Sequence, residues 1–121
     1  MLRCLIVDDS EAFLASVARF LSAEGIEVVG SASNGADALR LAEQLEPDVV
    51  LVDVHLGGED GLEVARQLTA TAHAPPVILI SSHSPDDLAE LIADSPAVGF
   101  LAKSELNART IARLVGEPRG R

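Results

Sequence analysis

The chain alternates short apolar runs with stretches in which apolar residues recur every three or four positions. The apolar runs at residues 2–7, 27–31, 49–53, 77–80 and 99–101 predict strands. The first, third and fourth are apolar almost throughout, as expected of strands covered on both faces, while the second and fifth are weaker and predict sheet edges. Helical periodicity follows at about 11–23, 35–45 and 61–69. A fourth helix opens at Ser84-Pro85-Asp86-Asp87, which supplies an N-cap and a first-turn proline, and a fifth follows Ser104. The order βαβαβαβαβα predicts an α/β fold with a doubly wound parallel sheet.

The 121 residues, 48% of them hydrophobic, suit one domain over residues 1–116 and a short tail at 117–121, either a disordered end or a linker stub. There is no Trp or Tyr and there are only three Phe, so aliphatic side chains must build the core. A formal net charge of −10 disfavours direct binding of nucleic acid or an anionic membrane by this domain. Cys4, the single cysteine, lies within the first apolar run and predicts a buried structural thiol. Asp8 and Asp9 interrupt that run too early for a signal peptide, and no stretch approaches the ~20 apolar residues of a membrane span. A cytoplasmic protein is expected.

Candidate chemistry sits where apolar runs end. Asp8 and Asp9 close the first run and Asp53 closes the third. A carboxylate at the C-terminal end of a buried parallel strand lies at the rim where open α/β sheets hold their ligands. Two carboxylates ~5 Å apart repel by roughly 3 kcal/mol at an effective dielectric of ~20, so three at one rim call for a cation. The pattern predicts a divalent metal beside a reactive aspartate.

Ser81 follows the fourth run, and Lys103 follows the fifth in Phe100-Leu101-Ala102-Lys103. With Asp8-Asp9 and the segment Asp53-Val54-His55-Leu56-Gly57-Gly58-Glu59-Asp60-Gly61-Leu62-Glu63, the chain resembles the receiver domain of bacterial two-component response regulators. The resemblance runs from Cys4 to about Val115. It implies a flavodoxin-like, doubly wound five-stranded parallel sheet in the order 2-1-3-4-5 with five helices. It also implies that Asp53 is the nucleophile, taking a phosphoryl group from a phosphohistidine donor. Mg²⁺ would be held directly by Asp9 and Asp53, mainly through water by Asp8, and by the backbone carbonyl of His55. Lys103 would hold a phosphoryl oxygen and pair with Asp53 beforehand, while the Ser81 hydroxyl and the Ser82 N–H donate to other oxygens. Phe100 occupies the position of an aromatic side chain whose rotation reports phosphorylation.

The implied partners are a sensor histidine kinase or a phosphotransfer protein, then a DNA-binding effector domain C-terminal to this segment. A phosphorylation-dependent dimer is a further implied assembly. The domain would catalyse its own phosphorylation and slow dephosphorylation, with no other turnover.

Some positions depart from the family's commonest pattern. Gly57 stands where proline is frequent, which predicts a more mobile loop. Ser104 follows Lys103 where many members have proline, which predicts a differently shaped Lys103 loop. His55 and His83, two residues beyond Asp53 and Ser81, are expected to tune the lifetime of the acyl phosphate. Among rival readings, an aspartyl-nucleophile phosphatase of the haloacid dehalogenase type needs an acid where His55 stands. A flavin-binding module would meet Asp8-Asp9 where an anion cradle is required. A degenerate receiver acting only as an interaction module fits poorly with a complete set of site residues.

Overall fold

The structure, a computed structural model, describes residues 1–82 and 93–116. The helix expected to open at Ser84, together with His83 and the tail at 117–121, lies outside the described residues. In chain order the elements are β1 (Arg3–Val7), α1 (Glu11–Ala23), β2 (Glu27–Ala32), α2 (Gly35–Leu45) and β3 (Val49–Asp53). A small antiparallel pair, β4 (His55–Leu56) and β5 (Glu59–Asp60), leads into α3 (Gly61–Thr69). Then come β6 (Val77–Ser81), β7 (Gly99–Ala102), a 3₁₀ turn (Lys103–Glu105) and α4 (Ala108–Val115).

The main sheet has the order β2-β1-β3-β6-β7, and every pairing in it is parallel. With the small pair set aside, this is the expected 2-1-3-4-5 order. Four α-helices stand among the described residues, against the five expected, because the Ser84 segment is not among them. The expected strand limits differ by a residue at one end of β1, β2, β6 and β7. The pair β4–β5 is new, since two-residue strands leave no periodic signal.

Alternation along the central strands explains the double winding. Leu5, Val7, Val50, Val52, Val77 and Leu79 face Ala38 and Ala42 of α2 and Leu62, Ala65 and Leu68 of α3. Their neighbours Cys4, Ile6, Val49, Leu51, Ile78 and Ile80 face Val17 and Leu21 of α1 and Ile111 of α4. Strands β3 and β6 are buried along their whole length, which is why they read as unbroken apolar runs. Each fully buried Leu or Ile contributes ~1.5–3 kcal/mol relative to exposure, so these two layers dominate the stability. Phe100 is partly buried against the first layer.

Local signals fix where the helices begin and end. Ser10 caps α1 by accepting the Phe13 N–H at 3.2 Å, and Gly25, with φ +93, takes the left-handed turn after it. Asn34, Asp60 and Asn107 cap α2, α3 and α4 through their side chains. The helix expected directly after Ser104 starts later, at Ala108. A 3₁₀ turn and the Asn107 cap come first, and Glu105 accepts the Ala102 N–H at 3.1 Å.

Candidate functional site

Strands β1 and β3 are neighbours, with Val7 paired to Val52, so the residues that follow them emerge side by side. Asp8 is fully buried, Asp53 is 6% exposed, and Asp9 is exposed at the rim. One carboxylate oxygen from each of Asp8, Asp9 and Asp53 lies within 4.8 Å of the others. On the far side of β3, Asp53 pairs with Ile80 and Ser81 pairs with Ala102, which brings Ser81 and Lys103 to the same rim. Ser81 is fully buried at the end of β6, and Ser82 is exposed immediately beyond it.

Lys103 reaches back over the acids. Its Nζ lies 2.7 Å from Asp8 Oδ2 and 3.1 Å from Asp53 Oδ2. The expected pairing with Asp53 is present, and the ammonium also reaches the buried Asp8. The Asp8 Oδ2 contact is an ion pair without good hydrogen-bond direction, so this buried oxygen lacks a well-aimed donor. Its other oxygen, Oδ1, accepts the Ser10 N–H at 2.8 Å. Asp53 Oδ1 accepts the His55 N–H at 3.0 Å.

The balance of these effects on Asp53 favours the proton. Burial pushes its carboxyl up, and the charge of Asp8 adds to this. The His55 N–H and Lys103 oppose them without cancelling them, so the pKa lies above the ordinary carboxylate value. For Lys103, burial pulls the ammonium down, but its contacts with Asp8 and Asp53 outweigh burial and leave it above the ordinary lysine value.

The donor set suits a hard divalent cation. It consists of carboxylate oxygens only, one of them buried and poorly satisfied, and they repel by roughly 3 kcal/mol per pair at an effective dielectric of ~20. Among the described residues the cluster is made of carboxylates, the oxygen donors that hard cations prefer.

Backbone around the site is held by Gly61 and Glu59, which sequence patterning gave no site role, and by Gly57. Gly61 opens α3 against the backbone of Asp53, and its N–H donates to the Val54 carbonyl at 2.9 Å. A Cβ at Gly61 would collide with the Asp53 carbonyl oxygen. Gly57 has φ +61, and a Cβ there would sit 3.2 Å from Asp9 Oδ2. Glu59 Oε1 accepts the Gly35 N–H at 2.9 Å, tying the β4–β5 pair to the start of α2. The Ser10 cap, whose N–H also meets Asp8, has a local signal in the sequence, a serine directly before a helical pattern.

The sequence matches the family model for the response regulator receiver domain over residues 4–115. The chain belongs to that family. This receiver domain is 36% identical to the transcriptional regulatory protein LiaR of Bacillus subtilis (strain 168), over 98% of this chain and 59% of that protein. It is 42% identical to protein-glutamate methylesterase/protein-glutamine glutaminase 5 of Myxococcus xanthus (strain DK1622), over 96% of this chain and 34% of that protein. The chain therefore spans less than two thirds of the length of either relative. Among solved structures it resembles a signal receiver domain from Mycobacterium tuberculosis, with TM-score 0.79 and 34% identity over 96% of this chain and 98% of that one. It also resembles a Burkholderia pseudomallei response regulator that carries a phosphorylated aspartic acid, a calcium ion and citrate. That match has TM-score 0.80 and 27% identity, over 96% of this chain and 67% of the other. The receiver is a signalling module of a two-component system. Among its described residues no helix is long and apolar enough to cross a membrane.

Proposed function

We propose that this receiver is a phosphoryl-accepting switch whose acceptor is Asp53, supplied by a phosphohistidine donor. One observation carries the reading: a single ammonium, Lys103, reaches two of three converging carboxylates at the C-terminal rim of the sheet. A carboxylate oxygen of Asp53 attacks phosphorus and forms the new P–O bond. The P–N bond to the donor imidazole breaks, and the ring leaves with that electron pair. Asp8, Asp9, Asp53 and the His55 carbonyl would hold Mg²⁺, which neutralises the acids and the incoming phosphoryl oxygens.

The chain's own groups do the rest. Lys103 exchanges its contact with Asp53 for one phosphoryl oxygen, remaining near Asp8 as a point charge. The Ser81 hydroxyl and the Ser82 N–H donate to the other oxygens. Burial of Asp8 and Ser81 limits water at the acceptor, which slows hydrolysis of the acyl phosphate. His55, exposed beside Asp53, adjusts that lifetime. The partners are a histidine kinase or phosphotransfer protein in the cytoplasm and an output domain outside residues 1–116, with turnover limited to the domain's own phosphate.

Mass spectrometry after treatment with acetyl phosphate and Mg²⁺ tests this reading. One added phosphate on the wild type, absent from Asp53→Ala and from samples with chelator, is expected. Phosphate gain that survives in Asp53→Ala overturns it.

A further inference from the structure

Lys103 is the only lysine in the chain, and Phe13 is one of only three aromatic residues. The two meet at the site: Lys103 Nζ lies 4.2 Å from the centroid of the Phe13 ring. Phe13 is itself held on two sides. Its N–H donates to the Ser10 cap, and its side chain is partly buried against the apolar layer shared by α1 and α4. Ser10 in turn donates its N–H to Asp8 Oδ1, and Asp8 Oδ2 meets the same ammonium. Asp8, Ser10, Phe13 and Lys103 thus form a closed circuit of contacts at the mouth of the acid pocket.

We propose that Phe13 is a positioning residue for phosphoryl acceptance, its ring face holding the Lys103 ammonium between Asp8 and Asp53. The proposal rests on the reading that Asp53 accepts the phosphoryl group. A lysine stem has four rotatable bonds, and two acids on one side fix its direction without fixing its approach. The ring supplies a third contact, on its face. It replaces part of the ammonium's hydration with the negative face of a quadrupole, and the Lys103 side chain keeps only 20% exposure. Leucine at this position would still pack on the apolar layer, with some loss of volume, but would offer no such face. Tyrosine or tryptophan would keep it.

Because Lys103 is the single lysine, selective labelling of lysine gives one side-chain signal set. In the unphosphorylated wild type its ε-methylene protons should show an upfield ring-current shift that is lost in Phe13→Leu and kept in Phe13→Tyr. The rate of Asp53 phosphorylation by acetyl phosphate with Mg²⁺ should fall about threefold to tenfold in Phe13→Leu and stay within about twofold in Phe13→Tyr. Thermal melts of both variants report whether each remains folded. An unchanged rate in folded Phe13→Leu, or an equal fall in Phe13→Tyr, overturns the proposal. A wild type that gains no phosphate on Asp53 sinks the parent reading instead, and the lysine signal then still decides whether the ring holds the ammonium.

Discussion

Lys103 lies nearer to Asp8, at 2.7 Å, than to Asp53, at 3.1 Å. The buried acid that is not the proposed acceptor is therefore the lysine's closer partner. Under the proposed function, this arrangement keeps Lys103 anchored while Asp53 is modified. Removing the ammonium strands two acids together, one fully buried. Lys103→Met should cost about 2–3 kcal/mol at neutral pH, below the full range for deeply buried pairs because Lys103 is 20% exposed. The cost should shrink in acid, where the carboxylates take up protons. Urea melts at two pH values check this, and equal stability of the two proteins at pH 7 would contradict it.

Asp53 makes the opposite prediction. Its pKa is raised on folding, mainly by burial, so the folded chain holds that proton more tightly than the unfolded chain. The stabilisation this brings is complete below the ordinary carboxylate value and is lost as pH rises through the folded value. At neutral pH without metal, the charge on Asp53 therefore opposes folding. Asp53→Asn should raise the melting temperature by a few degrees there, and the advantage should vanish in acid. Adding Mg²⁺ should reverse the ranking. A cation at ten times its Kd stabilises by about 1.4 kcal/mol, and the variant has lost one ligand. Calorimetry with Mg²⁺ and then with excess chelator reads both halves.

Gly61 tests the backbone of the site. A methyl group there would push on the Asp53 carbonyl, so Gly61→Ala must displace either β3 or the start of α3. The expected loss is about 1–3 kcal/mol, typical of overpacking against a fixed neighbour. Phosphate uptake should fall more than stability alone explains, since the proposed acceptor itself moves. An alanine variant with wild-type melting and wild-type uptake would show that the contact relaxes freely.

Burial pushes the Cys4 thiol from 9.0 up to about 12. A raised thiol contributes stability that is complete below pH 9.0 and is lost as pH climbs towards about 12. Cys4→Val should flatten that alkaline decline. In the native wild type, iodoacetamide should label Cys4 slowly at pH 8.5 and rapidly once denaturant is present. Fast labelling of the native protein would place the thiol outside the core.

Several parts of this architecture were legible because they depend on periodicity. Strands β3 and β6, buried on both faces, must be apolar throughout, and that alone located Asp53 and Ser81 at their ends. Strand order came from the family resemblance, since periodicity cannot say which strands are neighbours. What escaped were contacts made by chance of position rather than by pattern. Phe13 sits among apolar helix residues like any core side chain, and only the fold brings Lys103, ninety residues later in sequence, above it. Gly61 was legible as the start of a helix, but its close approach to the Asp53 carbonyl depends on the path of a neighbouring strand. The Asp8 contact of Lys103 was missed because side-chain direction at a strand end is not written in spacing.

The bond from the Gly35 amide to Glu59 has a consequence for motion near the acids. Gly35 lacks a Cβ where Glu59 Oε2 and Val64 Cγ2 would each stand 2.9 Å from it, so the carboxylate seats directly on the helix end. If the β4–β5 ribbon lifts, that amide loses its acceptor, since first-turn amides have none within their own helix. Solvent deuterium would then reach it. One backbone position on a different helix thus serves as a clock for excursions of the ribbon that flanks Asp53.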